Sequence, residues 1–349
     1  MKPEESKDLY IISSSPHTHS GASVERIMLD VVIALMPALA ASLWFFRWDA
    51  LRLIAVCVAT CLLAEWGSRK AMRRANSLSD FSAAVTGLLL AFNLPPALPT
   101  WMAVAGSLFA IVVAKQVFGG LGYNPFNPAL AGRAFMLISF TGAMTTWSAS
   151  EWLQKVRYAS AAAATKATET VVDAATFATP LGYAKEALKA GKGLPLFDFD
   201  LSLLQDFFLG NVNGCIGETS ALALLIGATY LLVRKVITWH IPVAYLLTVL
   251  VYAAVLRLAA PATALPPLVH LLSGGLMLGA FFMATDMVTT PVTRRGMLVF
   301  GIGCGIITML IRTVKSGAYP EGVSFAILIM NAFTPLINRA TRNRVFGAK

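Results

Sequence analysis

Apolar runs of membrane-spanning length recur along the whole chain, separated by short polar or Gly/Pro-rich stretches. A helix needs about 20 mostly apolar residues to cross a bilayer. Runs that approach or meet that length lie at 27–46, 49–67, 81–95, 101–117, 129–147, 218–233, 238–259, 266–284, 297–314 and 322–338. The pattern predicts an all-α polytopic membrane protein with about ten transmembrane helices. The run at 81–95 is short and ends at Pro95-Pro96. A helix interrupted at that depth must be sheltered by protein, because lipid satisfies no free backbone group.

The second half of the pattern resembles the first. TGLLLAFNLPP at 86–96 is similar to GGLMLGAFFMATDMVTTP at 274–291. Each is followed by an apolar run, a turn (GYNPFNPA at 122–129, GAYPEGVS at 317–324) and another apolar run. Predicted helices 3–5 then correspond to helices 8–10. An offset of five reverses the direction of the copy, which predicts two inverted five-helix repeats with a functional site near their interface. The expected organisation is a polar N-terminal segment 1–25, a first membrane repeat 26–147, a loop 148–209, and a second repeat with a basic tail 210–349.

Composition agrees with lipid. Hydrophobic residues make up 57% of the chain and charged residues 13%, about half the charge of a soluble domain, roughly 25%. The formal net charge of +10 points away from nucleic acid, because the basic residues sit at the ends of apolar runs. The first 24 residues are polar, as in a chain without a cleavable signal peptide. With the N-terminus inside, the inner segments hold sixteen Lys and Arg and the short outer segments five. Positive charge marks the cytoplasmic side. Both termini are therefore expected in the cytoplasm and the long loop near 148–203 in the periplasm, across a cell inner membrane.

Three clusters carry candidate chemistry. Gly119-Gly120-Leu121-Gly122-Tyr123-Asn124-Pro125-Phe126-Asn127-Pro128 cannot form a continuous helix. It is either a tight interhelical turn or a break that lines a cavity with the amides of Asn124 and Asn127. The glycines around Gly214, in Gly210-Asn211-Val212-Asn213-Gly214-Cys215-Ile216-Gly217-Glu218, could bring backbone amides against a phosphate or a flavin edge. Without a following Lys-Ser or Lys-Thr this is not a P-loop. In the long loop, DAATFATP at 173–180 reads on composition as an exposed turn. Cys57, Cys61, Cys215 and Cys304 include no CxxC pair and read as small buried residues. No metal-ligand, triad or paired-carboxylate pattern is present. Of the acids and histidines near apolar runs (Asp30, Glu65, Asp80, His240, His270, Asp286), Asp30 and Asp286 are the best candidates to face a polar cavity.

Together, GYNPFNPALAGRAF at 122–135, DAATFATPL at 173–181, GNVNGCIGETSALA at 210–223 and FMATDMVTTPVTRRG at 282–296 make the chain resemble the RnfD/NqrB family. That family comprises the D subunit of the Rnf electron-transport complex and the related B subunit of sodium-translocating NADH:quinone reductase. The resemblance covers nearly the whole chain, and the short N-terminal segment favours the Rnf side. It implies FMN joined through its phosphate to a threonine by a flavin transferase that reads Asp-x-x-(Ser/Thr)-x-Ala-Thr. Here the pattern falls on Asp173, Thr176, Ala178 and Thr179, with Phe177 where the family has glycine, so Thr179 is the implied attachment residue. The resemblance further implies a role in passing electrons between ferredoxin and NAD, coupled to Na⁺ or H⁺ movement, with the other Rnf subunits (A, B, C, E and G) as partners. It also implies a second, non-covalent flavin such as riboflavin, for which the Gly-rich breaks (Asn124, Asn127, Gly214, Glu218) are the expected pocket. A stand-alone solute channel or transporter is the alternative that the repeat alone would suggest.

Overall fold

The computed structural model describes residues 23–146, 181, 201–210, 214–261, 264–313 and 322–342. Its regular elements are helical. We number them α1 (Val24–Ala71), α2 (Ser82–Phe92), α3 (Thr100–Leu108, running on as a π-helix Phe109–Gln116), α4 (Pro128–Ser139), α5 (Thr141–Met144) and α6 (Leu201–Leu209). These are followed by α7 (Ala221–Val233), α8 (His240–Ala259), α9 (Pro267–Leu272), α10 (Leu276–Leu278, running on as a π-helix Gly279–Met283), α11 (Arg294–Thr313) and α12 (Val323–Ala340). Four of them, α1, α8, α11 and α12, are long and apolar enough to cross a membrane. Shorter apolar helices pack among these, and side chains such as Leu63, Val233 and Leu258 stand exposed on the outside. An apolar exterior over helices of this length is a lipid-facing surface. The protein is an all-α polytopic membrane protein.

The elements depart from the apolar runs in three places. The runs 27–46 and 49–67 form one helix of 48 residues, with a sharp kink at Arg47 (φ 44°, ψ −116°). A straight helix of that length would span about 72 Å, far more than one bilayer. The kink turns it back, so both ends reach the same face of the molecule, near Ile27 and Arg69. No Gly or Pro marks the turn; Phe46-Arg47-Trp48-Asp49 resumes helix at once. The run 266–284 is broken at Ser273-Gly274-Gly275, where Gly274 takes φ 68°. The run 129–147 stops at Ser139, and only the short α5 follows.

The early end of α2 at Phe92 is sheltered as its depth demands. Ile216 N–H donates to the Leu94 carbonyl and Gly217 N–H to that of Phe92. Arg52 Nη2 donates to the carbonyls of Pro96 and Leu98 at 3.3 and 3.2 Å. A carbonyl left bare in lipid would cost several kcal/mol, roughly. The core joins both halves of the chain: Leu35, Leu53, Leu90, Phe92, Tyr245, Leu276, Phe300 and Ile327 belong to one buried cluster. Helices cross closely where glycine leaves room. A Cβ on Gly87 would fall 2.8 Å from Val58 Cα, and one on Gly227 would collide with the Ala34 carbonyl oxygen.

A cleft and a buried ion pair at the candidate functional site

A cleft opens on the face where α1 begins. Its wall draws on the start of α1 (Ile27, Met28), the start of α2 (Ser82, Thr86), Lys115, the turn before α4 (Asn124, Asn127), and Asp286 after α10. We call this the basic face, since Arg26, Arg69, Arg74, Arg234 and Arg294 gather at these helix ends. The turn at 119–127 thus does both things its sequence allowed, joining α3 to α4 and lining a cavity. Gly119, Gly120 and Gly122 all take positive φ there. Arg74 Nη1 holds the turn through the Gly119 carbonyl at 3.0 Å.

The two asparagines are placed differently. Asn127 caps α4, its Oδ1 accepting from Ala129 and Leu130 N–H. Its Nδ2 donates to the Met283 carbonyl at 3.3 Å. Asn331 of α12, its amide oriented to satisfy both neighbours, accepts from the Asn127 N–H. Asn124 Nδ2 donates to the Phe126 carbonyl at 3.0 Å. Its Oδ1 is buried with no hydrogen-bond partner among the described residues. A buried acceptor in that state costs about 1–3 kcal/mol, and Asn124 belongs to the cleft wall.

Of the candidate acids, Asp286 lines the cleft and accepts from Val288 N–H and Thr289 Oγ1. Asp30 does not line it; it accepts from Tyr230 Oη at 2.8 Å and from Arg234 at 3.2 Å, tying α1 to α7. Glu65 is buried, not at a solvated helix end: it pairs with Lys115 Nζ at 2.8 Å and accepts from Ser77 Oγ at 2.6 Å. Lys115 Nζ also donates to Ser82 Oγ at 2.7 Å.

Gly214 and Glu218 are not among the residues that line the cleft. Glu218 accepts from Arg133 Nη1 at 3.1 Å, both side chains being almost fully buried. The same guanidinium donates to Asn93 Oδ1, and its Nη2 lies 3.7 Å from Cys215 Sγ. Sequence reasoning missed Arg133. A signal existed: it lies inside an apolar run, where an ionisable residue is a functional candidate by default. Asp173, Thr176, Ala178 and Thr179 lie outside the described residues.

Residues 11–347 match the model of the family described as "NQR2, RnfD, RnfE family". The chain belongs to this family. Among its relatives, the D subunit of the Na(+)-translocating ferredoxin:NAD(+) oxidoreductase complex of Acetobacterium woodii is 46% identical over 338 residues, covering 96% of this chain and 95% of the relative. The D subunit of the ion-translocating oxidoreductase complex of Salmonella newport is 42% identical over 354 residues, covering 97% and 99%. Membership in the NQR2, RnfD, RnfE family thus extends over the cleft, the ion pair and the segments that carried the resemblance. It is a property of the whole chain and not of one motif.

Proposed function

We propose that this chain is the D-type membrane subunit of an Rnf-type ion-translocating ferredoxin:NAD oxidoreductase complex. One observation carries the proposal: near end-to-end similarity to a protein named as that subunit. In this reading the chain carries FMN as a phosphoester on Thr179 and relays electrons in a process coupled to Na⁺ or H⁺ translocation. Its partners are the other Rnf subunits (A, B, C, E and G), with a flavin transferase for maturation. Asp173, Thr176, Ala178 and Thr179 fit the transferase pattern in order and spacing. Pro180 supports the choice of Thr179, because a residue before proline is held extended and reachable. The Lys/Arg bias supports an inner-membrane orientation with both termini cytoplasmic and the flavin loop periplasmic.

In this reading a second, non-covalent flavin binds at the cleft. Small-molecule sites combine apolar walls with a few aimed polar groups, and the cleft wall has both. Asn124 and Asn127 would be the polar anchors, while Leu89, Phe282 and Val31 supply apolar wall. A flavin bound there would supply one- and two-electron chemistry; the chain supplies position and excludes water.

Changing Thr179 to Ala should abolish the fluorescent flavin band that survives denaturing electrophoresis, and Thr176→Ser should leave it in place. Covalent flavin persisting on the Thr179→Ala chain would overturn the attachment site. Asn124→Leu should lower the flavin released on precipitation and leave the covalent band unchanged. Unaltered release would move the second flavin elsewhere.

A further inference from the structure

Two interrupted segments meet in the interior. One is the irregular stretch that follows α2 at Asn93; the other is the break at Ser273-Gly274-Gly275 before α10. In transporters built from broken helices, such a break is where the carried ion or substrate sits. Here it is filled by the chain's own charges. A Cβ on Gly275 would fall 2.5 Å from Glu218 Oε1 and 3.5 Å from Arg133 Nη1. The carboxylate and the guanidinium therefore lie close against the backbone of the break at Gly275.

The same guanidinium stands at the end of a chain of hydrogen-bonded residues that starts in the cleft, with Met283 joined by its carbonyl on one side and its thioether on the other. Asn127 lines the cleft and donates to the Met283 carbonyl. Met283 Sδ accepts from Asn93 Nδ2 at 3.6 Å. Asn93 Oδ1 accepts from Arg133. Arg133 follows Asn127 on α4 by six residues, about 9 Å of helix rise. Beyond it lie Glu218 and Cys215.

We infer that Arg133 is a fixed cationic seal inside the membrane, closing the inner end of the cleft against passage of cations through this subunit. A guanidinium stays protonated at any physiological pH, so the seal neither titrates nor relays protons. A fixed positive charge on a narrow polar path excludes cations and protons. Glu218 neutralises its burial cost and holds it in place. Ions moved by the complex then cross elsewhere while Arg133 keeps these partners. The inference does not depend on the flavin assignment, because the seal acts without electron flow.

The test uses the purified complex containing this chain, reconstituted in liposomes, with passive Na⁺ and H⁺ leak followed by ion-sensitive dyes and no electron donor present. Arg133→Gln should raise the leak at least about tenfold. The uncharged pair Arg133→Gln with Glu218→Gln should do the same, and it decides the question if the single variant does not assemble. Glu218→Gln alone should stay as tight as the unaltered complex, because the positive charge remains. A role confined to holding the fold predicts the reverse ordering, with both single variants leaky and the uncharged pair rescued. Tight liposomes from both variants lacking the arginine, or Glu218→Gln leaking as much as Arg133→Gln, would overturn the seal.

Discussion

Lys115 and Arg312 show how single residues are reconciled with an apolar interior. Lys115 is 1% exposed, and its ammonium is used by Glu65 and Ser82. Arg312, near the end of α11, donates to the carbonyls of His270 and Ser273, the last turn of α9 and the residue after it. Each cation thus anchors the end of another helix. Glu65→Gln should leave the Lys115 charge uncompensated and destabilise the protein by about 3–5 kcal/mol, read as a lower midpoint of thermal unfolding in detergent. Glu65→Leu combined with Lys115→Met should recover most of that loss, since a buried pair replaced by apolar groups is often nearly neutral. An uncoupled, additive loss in the double variant would refute the pairing. None of this was legible locally. Glu65 reads in sequence as an acid near a helix end, and its partner lies 50 positions away. Asn124 and Asn127 were legible, because glycine and proline around them forbid helix and leave only a turn or a cavity wall.

Among elements, the apolar pattern located the helices and the early end of α2 before Pro95-Pro96, and missed the other interruptions. It reports which stretches can face lipid or core and carries no information on backbone dihedrals. The break at Ser273–Gly275 lies inside a run that stays apolar on both sides, and only the Gly pair hints at it. The kink in α1 is the opposite case: Arg47, Trp48 and Asp49 interrupt the apolar pattern as a loop would, yet the backbone stays helical on either side. Gly274→Ala would put a Cβ on a residue at φ 68°. It should cost about 1–2 kcal/mol and shift the packing of α10, measured as a fall in thermal midpoint. An unchanged midpoint would mean that the break relaxes freely. Gly227→Ala tests a different constraint at the crossing of α1 and α7. Overpacking against the Ala34 carbonyl should cost about 1–3 kcal/mol, and a neutral result would show that the two helices can separate.

For the whole molecule, the cleft gathers helix ends. The starts of α1 and α2, the end of α3, the turn before α4, the end of α7 and the turn after α10 all meet at one face, and Thr293 bonds Thr341 beside it. If that face is cytoplasmic, reporter fusions after residues 75 and 190 should report opposite sides of the membrane; reports from the same side would sink the orientation. Near-identical placement of the two turns, at Tyr123 and Tyr319, on one side would likewise refute the inverted repeat. The kinked α1 adds a mechanical consequence. Its first arm is stapled to α7 by Asp30, Tyr230 and Arg234, and its second to α2 and α3 by Gly87 and Glu65. Between the arms there is no loop, hence no slack. A slide of either half of the chain along the membrane normal is transmitted to the other through a rigid hairpin, so the halves must travel as one body or bend at Arg47.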